Sequence, residues 1–103
     1  MKYIVIILII LSLGFIVFAE EPKHNYKPKD GYVPDAATAI KIAEAVWLPI
    51  YGKDIYSKKP FKAQLRDGVW FVEGSLPSFM FGGVPEAEIS KDNGCILRIS
   101  HGK

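Results

Sequence analysis

Residues 61–74 read Phe61-Lys62-Ala63-Gln64-Leu65-Arg66-Asp67-Gly68-Val69-Trp70-Phe71-Val72-Glu73-Gly74, and this stretch decides the fold. Phe61, Ala63 and Leu65 alternate with Lys62, Gln64 and Arg66. That period of two belongs to a strand with one face buried. Asp67-Gly68 supplies two residues that tolerate positive φ, as a type I′ hairpin turn requires. A two-residue turn there sets Arg66 opposite Val69, Leu65 opposite Trp70, Ala63 opposite Val72 and Lys62 opposite Glu73. Leu65, Trp70, Ala63 and Val72 then share one face, with the Lys62 and Glu73 pair on the other. A slip of one residue would turn the apolar set outward, so pattern and turn specify the same register.

Downstream, Gly82-Gly83 opens a second hairpin. A two-residue Asn93-Gly94 turn would set Ile89 against Arg98. A three-residue loop Asp92-Asn93-Gly94, with Gly94 left-handed, instead pairs Ile89 with Leu97 and Ala87 with Ile99, and sets Glu88 opposite Arg98. The three-residue loop satisfies both faces and is the expected one. Upstream, Pro34-Asp35 is a helix start, with Asp35 placed to cap the free N–H groups of the first turn. Ala36, Ala39, Ile40, Ala43, Val46 and Trp47 then recur at spacings of three and four, which is the apolar face of an amphipathic helix. Pro49 lacks an N–H and disfavours helical geometry at Leu48, so the helix is expected to stop or kink there, with Gly52 closing the segment. The predicted fold class is α+β: one N-terminal amphipathic helix packed on an antiparallel sheet of about four strands, arranged as two hairpins.

The 103 residues suffice for one domain. Residues 1–19 do not read as part of it. Lys2 precedes an apolar run from Ile4 to Phe18, and Val17 and Ala19 stand at −3 and −1 of a small-residue cleavage site. That is the layout of a secretory signal peptide, or, if uncleaved, of a membrane anchor at the short end of spanning length. The expected location is therefore the periplasm or the exterior after cleavage, or the inner membrane facing the periplasm. Residues 20–31 contain Pro22 and Pro28 with few aliphatic side chains and read as a flexible tether, leaving residues 32–103 as the domain. Removing 19 residues from 103 leaves 84, and removing Lys2 brings the charge to 12 − 11 = +1. A balance so near zero gives no nucleic-acid footprint, and the sequence is read as having no Lys/Arg cluster to hold a phosphate backbone, so nucleic acid is not an expected partner.

Little in the chain points to catalysis. His24 falls in the tether. Cys95 and His101 share strand parity, but six strand residues separate them by roughly 20 Å, too far for a nucleophile and its base. With one Cys there is no internal disulfide, and Cys95 beside Ile96 and Leu97 reads as a small buried residue. Glu86 and Glu88 face one way about 7 Å apart. An acid/base pair could use that spacing, but a solvated outer face with Glu88 neutralised by Arg98 is the expected reading. No metal-ligand spacing and no phosphate-loop pattern occurs in the sequence, so no cofactor is expected. Trp47 and Trp70 lie on apolar faces and are expected in the core. The alternative is a ligand pocket between helix and sheet, lined by both.

Candidate partner-binding residues fall in two connections. Phe79, Met80 and Phe81 form an apolar stretch between the hairpins. Such a stretch either tucks over the core or is presented to a partner. Tyr51 and Tyr56, with Lys58 and Lys59, lie between helix and sheet. Tyr suits interfaces because it buries a ring while keeping a hydroxyl to satisfy.

The strings GYVPDAATAIKIAEAVWLPIYGKDIY, PFKAQLRDGVWFVEGSLP and GGVPEAEISKDNGCILRISHGK together resemble the bacterial immunity proteins with a nuclear-transport-factor-2-like fold found near polymorphic-toxin and Rhs-type loci. The likeness runs from about Gly31 to Lys103. It implies a protein that protects its producer by binding a cognate protein toxin, with no catalytic residues. A full cone-shaped fold of that type needs more helix and a longer curved sheet than 84 residues supply. The helix-and-hairpins pattern also looks like PepSY-type domains, which occur in peptidase propeptides and exported inhibitors. Both resemblances imply binding.

Overall fold

The computed structural model describes residues 24–77 and 82–102. The expected signal peptide and the residues Phe79, Met80 and Phe81 lie outside the described residues. One helix, α1 (Ala36–Tyr51), leads through a 3₁₀ helix (Lys53–Lys58) to four strands, β1 (Lys62–Arg66), β2 (Val69–Glu73), β3 (Pro85–Ser90) and β4 (Ile96–His101). The strands form one antiparallel sheet in the order β1-β2-β3-β4, and α1 packs across β1, β2 and β3. The fold is α+β with two hairpins, as the alternation and turn signals predict.

Asp35 caps α1: its carboxylate accepts from the Thr38 N–H at 2.8 Å and from the Thr38 hydroxyl at 2.7 Å. These two bonds hold the Asp35 carboxyl below the usual aspartate pKa, because they favour the charged acceptor. Ala39, Ala43 and Trp47, spaced by four, are fully buried. The two alanines let the helix axis approach the sheet, and the Trp47 indole fills the space beyond them. Pro49 neither stops nor ends the helix, which continues to Tyr51. It falls in the last turn, so only one intrahelical bond is forfeited. The Gly52 N–H then closes the end on the Leu48 carbonyl at 2.8 Å, with Gly52 at φ +80°.

The first hairpin has the predicted register from Lys62 opposite Glu73 to Arg66 opposite Val69. Asp67 and Gly68 both have positive φ, at 49° and 76°. The second differs from expectation. Ser90 pairs with Cys95 through its N–H (2.9 Å), making a four-residue loop, and Ile89 faces Ile96 rather than Leu97. A bulge then absorbs Leu97, which restores Glu88 opposite Arg98 and Ala87 opposite Ile99 as predicted. The reason lies outside the hairpin. The Lys91 N–H donates to the Gly68 carbonyl at 2.9 Å, and its carbonyl accepts from Val33 at 3.0 Å. Those bonds take Lys91 out of the β3–β4 ladder and lengthen the loop by one residue.

Val33, Ile55, Trp70, Val72, Ala87 and Ile89 complete the core with the buried helix residues. Trp47 and Phe61 meet edge to face at 5.3 Å. The Trp47 indole N–H donates to the Glu86 carbonyl at 3.1 Å, and that of Trp70 to the Val33 carbonyl at 2.8 Å. Both rings are buried, with their single polar atoms satisfied by main chain. The space between helix and sheet is therefore filled, which overturns the alternative of a ligand pocket lined by the two tryptophans. Leu65 shares their face by register but stays 43% exposed, at the hairpin end of an edge strand.

Residues 27–33 lie against the β3–β4 loop. Lys27 pairs with Asp92 at 2.7 Å, Tyr32 N–H donates to the Asp92 carbonyl at 3.0 Å, and Lys91 Nζ donates to the Asp30 carbonyl. Gly31, at φ +85°, is where the two chains touch: a Cβ there would lie 2.4 Å from the Lys91 carbonyl oxygen.

Candidate functional site: an open sheet face and an adjoining cleft

The helix covers one face of the sheet, and the other is open. The alternation that turns Ala63, Trp70, Val72, Ala87 and Ile89 inward turns Lys62, Gln64, Arg66, Phe71, Glu73, Glu86, Glu88, Arg98 and Ser100 outward. The right-handed twist of the sheet makes this face a shallow hollow of about 540 Å³, walled by Lys62, Gln64, Arg66, Phe71, Glu73, Glu86 and Arg98.

Arg98 organises one half of the hollow. Its Nε pairs with Glu88, its Nη2 with Glu86 at 3.0 Å, and its Nη1 donates to the Ser100 hydroxyl at 2.7 Å. Ser100 in turn donates to the same Glu86 carboxylate at 3.1 Å. Glu88 and Glu86 together push the Arg98 pKa further up, so the guanidinium is a fixed cation. The expected Glu88–Arg98 neutralisation is present, and Glu86 joins it. Both carboxylates are committed to one cation, which is a positioning network and not a free acid/base pair. In the other half, the Arg66 guanidinium lies 4.0 Å from the Phe71 ring centroid, a cation–π contact.

A second hollow lies at the end of the sheet where α1, the 3₁₀ helix and the last strand converge. It measures about 600 Å³ and is lined by Tyr51, Asp54, Ile55, Ser57, Lys58 and His101. Tyr51 is half-buried, with its ring centroid 5.1 Å from that of His101. The His101 Nδ1–H donates to the Gly102 carbonyl at 2.7 Å. Tyr56 does not line this cleft. It stands 39% exposed with the Lys59 ammonium 4.8 Å from its ring centroid. The two sequence-predicted tyrosines thus occupy neighbouring but separate surfaces.

Cys95 is exposed, not buried as expected. Opposite Ser90, it takes the parity of the open face, at the loop end where nothing covers it. Cys95 and His101 stand at opposite ends of the strand. Among the described residues, no group of three or more His, Cys, Asp or Glu side chains could hold a metal ion. The Arg66–Phe71 stack and the pairing of Tyr51 with His101 escaped the sequence reading. For the first, the signal was present in the strand parity. For the second there was none, since it depends on where the end of the chain returns.

Among the described residues, one helix covers one face of an antiparallel sheet and leaves the opposite face open, its charges gathered around Arg98. The chain belongs to the NTF2 fold immunity protein family, whose model matches residues 38–103. It is also similar to two proteins of Escherichia coli (strain K12), uncharacterized protein YbbC and uncharacterized protein YhhH. YbbC is 40% identical over 67 residues, 63% of this chain and 55% of that protein. YhhH is 37% identical over 73 residues, 69% of this chain and 58% of that protein. The chain therefore spans somewhat over half the length of these relatives. No solved structure matches it.

Proposed function

We propose that this is an exported immunity protein that neutralises a cognate bacterial toxin in the periplasm by covering it, with the open sheet face at the centre of the contact. It acts by binding and not by chemistry. The observation that carries the reading is the open face itself. Four strands of a small domain present a half-buried Phe71, with Arg66 on its ring, and a prearranged set of charges on the side the helix does not cover. Exposed aromatic and Arg side chains held in place by their neighbours are the usual anchors of protein interfaces. Membership of an immunity-protein family supports a toxin as the partner. The positively led apolar run at residues 1–19 supports export.

The size of the sheet sets how far the contact extends. Strands about 4.8 Å apart and five or six residues long give a face of roughly 300 Å². A stable interface takes about 800 Å² from each partner. The proposed contact therefore runs past the sheet margin, and the exposure of Tyr56 and the Tyr51 cleft support these two as the surfaces that enlarge it.

The test is expression of the full chain in a host that exposes the toxin encoded beside its gene to the periplasm. Binding is titrated with the protein recovered from the envelope, and cell survival is scored. Tight binding with rescue is the expected result. A folded protein that neither binds nor rescues rejects this pairing. Recovery from the cytoplasm would reject export, and recovery with the inner membrane would identify residues 1–19 as an anchor.

A further inference from the structure

Charge on and beside the open face is unevenly spent. On the β3–β4 half, Arg98 takes up Glu86 and Glu88. On the β1 side, residues 58–66 contain Lys58, Lys59, Lys62 and Arg66 and no carboxylate. Among the described residues, none of these four cations forms an ion pair, although Lys62 lies directly across from Glu73 in the register. Two of them rest on rings, Lys59 on Tyr56 at 4.8 Å and Arg66 on Phe71 at 4.0 Å. A ring holds a cation in place and shields one side from water without neutralising it, so the charge stays available to a carboxylate.

The same residues border an unpaired edge. β1 is one of the two edge strands, and Lys62, Gln64, Leu65 and Arg66 are all exposed. Among the described residues, no main-chain group of residues 62–66 bonds outside the β1–β2 ladder. Such an edge is a template for another strand, and Lys or Arg along it repels a second copy of the same basic edge. The device that blocks self-pairing selects an occupant of opposite charge.

We propose that the β1 edge captures an acidic, extended segment of the partner as a fifth strand, with Lys62 and Arg66 meeting its carboxylates on the open face. Naming that partner as the toxin rests on the immunity reading, but the chemistry of the edge does not. Main-chain bonds to β1 supply affinity, and the cations supply selection and register. Nucleic acid is the less fitting occupant. An unpaired strand edge bonds the main chain of another strand, which a nucleic acid does not have, and the charge balance of the chain is only +2.

The experiment uses the protein recovered from the envelope after expression of the full chain, as wild type and as the double variant Lys62→Glu/Arg66→Glu. Retained unfolding midpoint shows that the exposed substitutions leave the fold intact. The first probe is an extended ten-residue peptide rich in Glu, with a Lys-rich peptide of equal length and a short DNA duplex as controls, read by amide shifts in NMR. Shifts confined to β1 with the acidic peptide, weakened about tenfold or more in the variant and by added salt, support the proposal. No shift, shifts indifferent to the substitutions, or preference for the Lys-rich peptide or the duplex overturns it. The second probe is the toxin encoded beside the gene. Loss of affinity in the variant supports capture of the toxin at β1, and unchanged affinity overturns it while leaving the immunity reading in place. Binding of the acidic peptide without binding of the toxin rejects the immunity pairing and keeps the edge.

Discussion

The Trp70 indole N–H donates to the main-chain carbonyl of Val33 at 2.8 Å, which ties the second strand to a residue two positions ahead of the helix cap. Val33 is 1% exposed, so its carbonyl has no water to fall back on. Trp70→Phe keeps most of the ring packing and leaves that acceptor short of its partner. The expected loss is about 2 kcal/mol of unfolding free energy in urea, with the denaturant slope unchanged. A loss near zero would mean that the bond adds nothing beyond burial of the ring.

Gly31 makes the closest approach between the segment ahead of the helix and the β3–β4 loop. Gly31→Ala sets a Cβ 2.4 Å from the Lys91 carbonyl oxygen at a φ of +85°. Backbone on both sides must move, at a cost of about 2 kcal/mol or more. Faster hydrogen exchange at the Tyr32 and Val33 amides, whose acceptors are Asp92 and Lys91, is the expected signature. Unaltered exchange would show that the loop yields without losing those bonds.

These two relationships mark where sequence reading reaches its limit in this chain. The first hairpin was legible to the residue because Asp67-Gly68 and the alternation around it constrain the same register independently. In the second hairpin the pairs Glu88–Arg98 and Ala87–Ile99 were legible, but the loop was not. Its length is set by Lys91 bonding to Gly68 and Val33, residues far away in the chain. Pro49 misled as a stop signal because the helix has only Ile50 and Tyr51 left to add beyond it, and the Gly52 N–H closes that last turn on the Leu48 carbonyl although the proline forfeits one intrahelical bond. Cys95 misled because its apolar neighbours suggested burial, whereas the longer loop assigns it to the open face. For the candidate site, strand parity set Glu88 opposite Arg98, and it held the signal for Arg66 beside Phe71 and for Glu86 joining Arg98, contacts that the sequence reading did not draw. It could not show that His101 returns to Tyr51.

The Asp35 cap gives the helix start a dependence on pH. Its folded pKa lies below the ordinary aspartate value of 3.8, owing to the hydroxyl and main-chain bonds from Thr38. A depressed carboxyl contributes stability that is fully present above the unfolded pKa and is lost as pH falls through the folded one. Asp35→Asn keeps an acceptor at the cap and removes the titration. Melting temperatures from pH 6 down to pH 2 are expected to fall more steeply for wild type than for the Asn variant. Parallel curves would assign the acid sensitivity to other carboxylates.

Arg98 determines whether Glu86 and Glu88 can share one face. Arg98→Met removes the cation from both and leaves two strand neighbours of like charge with only Ser100 to bond. At pH 7 the variant is expected to melt several degrees lower than wild type, with part of the loss recovered by raising salt. Adding Glu86→Gln to the variant relieves the repulsion and restores part of the midpoint. Independent effects of the two substitutions would show that the pairs, though formed, are not coupled.

Tyr51 and Tyr56 separate a packing role from a contact role. Tyr51 is half-buried against His101 and within the packing around the core, so Tyr51→Ala removes contacts whether or not a partner is present. About 2 kcal/mol or more of stability is expected to go with it. Tyr56 is 39% exposed and holds little beyond the Lys59 head group, so Tyr56→Ala is expected to leave stability within about 0.5 kcal/mol of wild type. If the contact extends past the sheet margin as its size requires, Tyr56→Ala weakens toxin binding by about tenfold while the domain melts as before. Phe79→Ser/Phe81→Ser, assayed beside it, is expected to weaken binding on the same terms, and unchanged affinity there removes that connection from the interface. Loss of binding in Tyr51→Ala while the variant is still folded at the assay temperature, with none in Tyr56→Ala, would point instead to the cleft that Tyr51 shares with His101.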